Sequence, residues 1–371
     1  MPLIELNTSG FRSLIAEKVR LDPHVNVICG ANGSGKSSVL EAIYTLSSGR
    51  SFRTTRREHM VQHGQSAFTV FGVVLDEQRG LHTRLGLQWD SRERQVSLRK
   101  DGERVSHVSE FARVFPCLVI DPDTFELVAG APGRRRQYLD WLVFHVEHDY
   151  ARVWRDFQRV LSQRNQLLRS GRIDGSLKVW NQQYVGLAEQ VTQLRQRSLE
   201  QVLPMLQQLI GEGRMDWLQA DDLRLDFYPG WDAQRALAEV LEAGLQQELR
   251  QGFTLYGPGR ADLRIRYRGR AAAEVLSRGQ QKTLVILLRL AQGMLISRTI
   301  AGQRKSVTFL LDDINAELDE QNRYYLVERL RLLGVQVVVT SIERQGMDAL
   351  WRSAETAPRM FHVEHGRIIE E

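Results

Sequence analysis

The residues best suited to chemistry begin with Gly30-Ala31-Asn32-Gly33-Ser34-Gly35-Lys36-Ser37, which satisfy the pattern G-x-x-x-x-G-K-[ST]. Glycines let backbone N–H groups turn inward around phosphate oxygens, and the N-terminus of the next helix adds the positive end of its dipole. In such a loop Lys36 reaches the outer phosphates and Ser37 offers a hydroxyl to Mg²⁺. Ser38, at the start of the expected helix, is counted with the loop as a nucleotide contact. The loop also needs a carboxylate at the end of a neighbouring apolar strand, and Thr308-Phe309-Leu310-Leu311-Asp312-Asp313 supplies one. Asp312 joins Ser37 as the metal candidate. Asp313, one residue on, lies outside the carboxyl edge of such a strand, where a carboxylate orients or deprotonates an attacking water. An Asp pair in this place also suits a plain helix cap.

A third motif, Leu276-Ser277-Arg278-Gly279-Gln280, opens a run rich in apolar residues from Thr283 to Leu295. Alone, Ser277 would be an ordinary N-cap. Beside the other two motifs it is a second phosphate-facing turn, and one chain does not need two such turns for a single triphosphate. The natural use of Ser277, Arg278, Gly279 and Gln280 is therefore to close the site of a second copy. Lys36, Asp313 and Ser277 form the candidate catalytic set.

These groups must be positioned by strands and helices, and the hydrophobic pattern supplies both. Strand-like runs fall at Val25 to Cys29, Ala67 to Leu75, Leu81 to Trp89 and Cys117 to Ile120, with short helical spacings at Val39 to Leu46 and Val105 to Val114. After the turn-like Gly130 to Gly133, apolar residues recur from Leu139 to Val160 at intervals of three and four, which predicts one helix of about six turns. A second series from Leu177 to Leu209, bent at Pro204, follows a turn at Gly171 to Gly175, and the two helices, each about 50 Å long at 1.5 Å per residue, make an antiparallel hairpin. Strands and helices alternate again from Leu223: strands at Leu223 to Tyr228, Leu263 to Arg268, Val307 to Leu311 and Val335 to Thr340, and helices through Ala233 to Arg250 and from Gln280. The expected organisation is an α/β unit interrupted by a helical insertion, with a first lobe over 1–130, the insertion over 131–222 and a second lobe over 223–371.

The 371 residues are 42% hydrophobic and 26% charged, with 29 Gly and 9 Pro, which excludes disordered, collagen-like and disulfide-scaffold classes. Cys29 and Cys117 both lie in apolar runs and read as small buried hydrophobes of a reducing compartment. No run approaches the roughly 18 apolar residues of a membrane span and no basic flank precedes an apolar stretch at the N-terminus, so a cytoplasmic protein with no membrane partner is expected. Fifty Lys and Arg against 45 Asp and Glu permit a polyanionic partner without demanding one. Arg134, Arg135, Arg136, Arg152, Arg155, Arg159, Arg164 and Arg169 crowd the first long helix as a phosphate track would, with Arg134, Arg135 and Arg136 as the candidate DNA contacts. The interleaved Asp140, Glu147, Asp149 and Asp156 suit a solvated face of ion pairs equally well.

Taken together, these motifs resemble the ATP-binding-cassette ATPases of the SMC-like branch. The resemblance covers essentially the whole chain, with Leu276 to Gln280 as the signature, Phe309 to Asp313 as the Walker B strand and Ala316-Glu317-Leu318-Asp319 as the D-loop. Gly10-Phe11-Arg12, Gly49-Arg50-Ser51-Phe52-Arg53-Thr54 and the segment from Pro132 through Arg135-Arg136 to Leu139-Asp140 look like motifs of its DNA-repair members, and Arg12 and Arg53 are carried as nucleotide contacts. The resemblance implies an ABC-type P-loop ATPase head with an inserted helical arm. It also implies ATP and Mg²⁺ as cofactors and an ATP-dependent homodimer that binds duplex DNA and single-strand/duplex junctions and helps load recombinase at gaps with recombination mediator proteins. Asp313 stands where most cassette ATPases carry a catalytic Glu and Thr340-Ser341 where a switch His is usual, which implies slow hydrolysis. No Gln stands near Asp121, where the Q-loop should fall. Two other classes fit the sequence less well. A structural SMC-type tether needs long coiled coils and a hinge, and a transporter ATPase subunit has far fewer than the 240 positions that separate Ser37 from Ser277.

Overall fold

The computed structural model describes residues 1–171, 175–213, 215–298, 306–352 and 357–371. Residues 172–174, the middle of the expected turn between the two long helices, lie outside the described residues. The chain forms two compact units, one of Met1–Phe125 with Leu288–Glu371 and one of Glu126–Leu287.

The first unit is built on two sheets. Apolar, β-branched runs too short for helices form a parallel sheet whose strands lie in the order Arg359–Glu364, Val25–Cys29, Gln336–Ser341, Thr308–Leu311, Cys117–Ile120, with Arg367–Glu370 folding back antiparallel on the outer edge. Its three central strands are buried along their whole length, which is why they read as continuous apolar runs rather than alternating ones. The second sheet is antiparallel, in the order Lys18–Arg20, Leu3–Ser9, Ala67–Asp76, Leu81–Asp90, Gln95–Lys100, Glu103–Val105, and Ala67–Asp76 alternates inward Phe68, Val70 and Val74 with half-exposed residues. Leu40, Ile43 and Leu46 of the helix Lys36–Ser48 complete one core with both sheets. Gly72 permits that packing, since a Cβ there would sit 2.6 Å from Leu46 Cδ2 and 2.7 Å from Leu3 Cδ1. The helix expected over Val105 to Val114 is confined to Ser109–Val114, because Val105 completes the strand Glu103–Val105 opposite Leu98.

The second unit holds the helices Pro132–Val146, Tyr150–Ser170, Gly175–Glu212 and Leu237–Gln251, with a small sheet in the order Arg270–Ala271, Asp262–Tyr267, Leu223–Tyr228. Residues 223–287, read from the sequence with the second lobe, cluster here instead. Leu237, Val240 and Leu241 share an apolar cluster with Val153, Phe157, Tyr184 and Val191, which ties this stretch to the long helices.

The single helix expected through Leu139 to Val160 is broken at residues 147–149. The four-residue step from Val146 to Tyr150 keeps the apolar stripe in phase across the break, so periodicity does not reveal it. Side-chain bonding does: Tyr150 donates its hydroxyl to Asp140, which also accepts from Arg195 Nε at 2.8 Å. Ten residues of continuous helix would hold positions 140 and 150 about 15 Å apart along the axis, beyond a tyrosine's reach. The helices of the hairpin are also unequal, 21 and 38 residues against the equal pair expected, and Pro204 lies inside the longer one. Cys29 and Cys117 are free and buried, and burial pushes both thiols up. Among the described residues no helix is long and apolar enough to cross a membrane.

Candidate functional site

The glycine-rich loop leaves the carboxyl end of Val25–Cys29 and runs into the helix Lys36–Ser48. Two glycines are required by geometry. Gly35 precedes the helix at φ 118°, a left-handed conformation that a side chain would strain, and a Cβ on Gly30 would lie 2.4 Å from the Val363 carbonyl oxygen. No side chain caps the helix, so its first turn is left to other acceptors. Lys36 is buried and donates from Nζ to the carbonyls of Gly30 at 2.7 Å and Ala31 at 2.9 Å, which brings the ammonium across the loop. Ala31, Asn32 and Gly33 are exposed. Ser34 Oγ is buried with no hydrogen-bond partner among the described residues, as expected of a hydroxyl whose partner is a ligand.

The loop meets the carboxylate pair through Ser37, whose Oγ donates to Asp312 Oδ1 at 2.9 Å although 275 positions separate them. Parallel pairing of Thr308–Leu311 with Gln336–Ser341, and of the latter with Val25–Cys29, brings the three carboxyl ends to one edge. Thr340 Oγ1 donates to the same Asp312 oxygen at 2.8 Å and accepts the Asp313 N–H at 2.9 Å. Asp313 is held at φ 51° and precedes the short helix Ile314–Glu317 without capping it by its side chain, so the plain helix-cap reading is not what this carboxylate does. That role falls to Asp319 of the D-loop segment, whose Oδ1 accepts from Asn322 N at 2.8 Å at the start of Glu320–Leu333.

Arg12 and Arg53, far apart in sequence, converge on one buried carboxylate. Arg12 forks onto Glu41, Nη2 to Oε1 at 2.7 Å and Nε to Oε2 at 2.9 Å, Ser51 donates to Oε1, and Arg53 Nη1 lies 3.5 Å from Oε2. Glu41 sits in the helix that follows the loop and is fully buried. Nothing in the motif spacing singled it out; the available signal was a charged residue on the inward side of an otherwise apolar helix.

Ser277 and Gln280 form a reciprocal capping box: Ser277 N donates to Gln280 Oε1 at 2.9 Å and Gln280 N to Ser277 Oγ at 3.2 Å, at the start of the helix Arg278–Arg298. Ser277, Arg278 and Gly279 are exposed. The arginines proposed for DNA are less free. Arg135 forks onto Asp262 at 2.7 and 3.2 Å and donates to the Gly130 carbonyl at 2.7 Å, with side chains only 12% and 18% exposed. Arg136 donates to the Ala261 carbonyl at 2.9 Å, and burial lowers its pKa. Arg164 belongs to the interior, bonded to Asn181, Thr254 and Glu248. Arg152 and Arg159 pair with Asp149 and Asp156 on the surface, the pattern of a solvated face. Asp121, at the end of Cys117–Ile120, is buried and bonded to Thr124, and burial raises its carboxyl pKa against those hydrogen bonds.

Among the described residues no three His, Cys, Asp or Glu side chains gather as a metal cage. This donor set fits Mg²⁺ nonetheless, because that ion keeps its waters and binds through one or two protein oxygens and substrate phosphates. Ser37, with its proton committed to Asp312, retains its lone pairs for a cation.

A parallel sheet with a phosphate loop at its carboxyl edge, a carboxylate pair on a neighbouring strand and an antiparallel sheet across the loop helix define an ATP-binding-cassette ATPase head. The chain belongs to the RecF/RecN/SMC N-terminal-domain family, whose model matches residues 2–368, and within it to the RecF proteins. It is 48% identical over 379 residues to the DNA replication and repair protein RecF of Marinobacter nauticus and 42% identical over 372 residues to that of Chromohalobacter salexigens, in each case over the full length of both chains. Among solved structures, its fold is similar to that of the recombination mediator protein RecF with ATP in the RecFOR pathway, with a TM-score of 0.88 at 23% identity over 100% of this chain and 97% of that one. An Smc head bound to the C-terminal winged-helix domain of ScpA shares the fold at a TM-score of 0.57 and 15% identity, covering 100% of this chain and 97% of that one.

Proposed function

We propose that this chain is an ATP-dependent, DNA-binding recombination mediator that dimerises around two ATP molecules and, with partner proteins, supports recombinase loading at gapped DNA in repair and replication restart, working in the cytoplasm. The observation that carries the ATP-dependent part is the bonding of Ser37 and Thr340 to Asp312, which joins the phosphate loop to the carboxylate pair. Membership of the RecF proteins carries the DNA-repair part.

In this reading Gly30 to Ser38 hold the phosphates by backbone N–H groups and Lys36 neutralises the outer ones. Ser37 and Asp312 would hold Mg²⁺, which when bound offsets phosphate charge. Asp313 orients the attacking water, and its carboxylate, one methylene shorter than a Glu, reaches less far toward it, which accounts for weak hydrolysis. Arg12 and Arg53 contact the nucleotide from the Glu41 cluster. Ser277 to Gln280, at a helix N-terminus where Ser277, Arg278 and Gly279 are exposed, serve the nucleotide of a second copy. Arg134, Arg135 and Arg136 are the proposed DNA contacts of the second unit, although a phosphate reaching Arg135 has to displace Asp262.

The test measures protein mass and retention of gapped duplex DNA side by side with ATP, with ADP and with no nucleotide. A dimer and tight DNA binding with ATP alone are expected; equal retention in all three states refutes nucleotide control. The shared site is tested by mixing Lys36→Arg and Ser277→Arg chains. A two-fold dimer of both has one site with both lesions and one with neither, so random exchange should restore roughly a quarter of wild-type ATPase activity. No recovery once mixed dimers are shown to form by mass would count against independent sites shared between chains.

A further inference from the structure

Thr340 touches both residues of the carboxylate pair, yet the strand that carries it has no packing need for a hydroxyl. It follows Val337, Val338 and Val339 in a strand buried from end to end, where another Val would fit the pattern. That strand lies between the strand leading into the phosphate loop and the strand ending at Asp312. Its register pairs Val339 with Leu311 and Thr340 with Ile28, so the Thr340 side chain arrives level with Asp312.

A hydroxyl has one proton and two lone pairs, and here both kinds of group are committed. The proton goes to Asp312 Oδ1 at 2.8 Å and a lone pair accepts the Asp313 N–H at 2.9 Å. Ser37 Oγ donates to the same Oδ1, and among the described residues Oδ2 accepts no hydrogen bond. Asp312 is thus pinned by one oxygen and presents the other. The second bond acts on Asp313, whose left-handed backbone at φ 51° is costly for a residue with a Cβ and is sustained by surrounding bonds. With its amide tied to Thr340, the Asp313 peptide is fixed in the turn that carries its carboxylate past the end of the strand.

We propose that Thr340 is a positioning residue of the nucleotide site, which through one hydroxyl selects the oxygen of Asp312 offered to the metal and holds the backbone turn that presents Asp313. This rests on the ATP and Mg²⁺ reading above. Motion at the end of this one strand moves both carboxylates together, so metal binding and water orientation are set jointly.

The experiment titrates MgCl₂ against ATP binding by the full chain, followed by calorimetry, for wild type, Thr340→Val and Thr340→Ser. Thr340→Val should raise the half-saturating Mg²⁺ concentration by about 10- to 100-fold, the usual cost of removing an outer-shell partner of a metal ligand. Thr340→Ser, which keeps the hydroxyl, should stay within about threefold of wild type on the same grounds. Where Thr340→Val does not fold, Thr340→Cys replaces it, since a thiol of similar size is only a weak donor. A merely structural role would lower stability and leave the Mg²⁺ dependence alone. Wild-type Mg²⁺ dependence in Thr340→Val or Thr340→Cys overturns the proposal by itself, whereas ATP binding by wild type with no Mg²⁺ dependence overturns the metal reading on which it rests.

Discussion

Replacing Glu41 by Gln removes one negative charge from the centre of a bonded group without changing its shape. Glu41 is fully buried and receives both arms of Arg12, the hydroxyl of Ser51 and the more distant Arg53. The amide of the variant retains one acceptor but turns an NH₂ donor toward a guanidinium that has only donors. Removing one partner of a buried ion pair costs about 3–5 kcal/mol, and because the Arg12 side chain is 23% exposed and keeps some water, the lower end applies. A loss of about 3 kcal/mol in a unit of this size lowers the melting temperature by about 6–12 °C. The assay is thermal and urea unfolding of wild type, Glu41→Gln, Arg12→Met and the double variant. The two single losses should not add, with a coupling of about 1.5–3 kcal/mol. A Glu41→Gln loss below about 1 kcal/mol, or additivity within about 0.5 kcal/mol, would refute the claim that these arginines are organised by a buried carboxylate.

Lys36→Arg should weaken ATP binding at least about tenfold and lower ATP-dependent DNA retention in parallel, because a planar guanidinium does not reproduce the ammonium's point contact; titration of both ligands checks it. Asp313→Asn should keep ATP binding while slowing hydrolysis by about 10²- to 10⁴-fold and prolonging the dimer, as read by single-turnover kinetics and mass. Arg135→Ala should lower stability by about 3 kcal/mol by leaving Asp262 unpaired, and as a lost phosphate contact should make the salt slope of DNA binding shallower by about one, checked by urea unfolding and a salt titration. Lowered stability with an unchanged slope would remove Arg135 from the DNA contacts and leave it only the partner of Asp262.

What the sequence determined by itself is what lies within one stretch of chain. The phosphate loop is legible because its eight residues are consecutive and the strand before it and helix after it follow from local hydrophobic pattern. The same holds for Asp312 and Asp313 at the end of an apolar run and for the Ser277–Gln280 cap, whose partners are three residues apart. Only the tertiary structure decided which distant groups share an oxygen. Ser37 and Thr340 meet at Asp312 through strand order in a parallel sheet, and neither pairing leaves a trace in local spacing. Arg12 and Arg53 were legible as motif residues but not as partners of Glu41, since a buried charge is stable only beside its counter-charge and the fold supplies that. The Arg135–Asp262 pair spans 127 positions, so local spacing that offered both a phosphate track and a face of ion pairs did not name this partner. The break at 147–149 escaped for a related reason: a hydrophobic stripe records which side is buried, whereas the direction of the next helix is set by what it packs against.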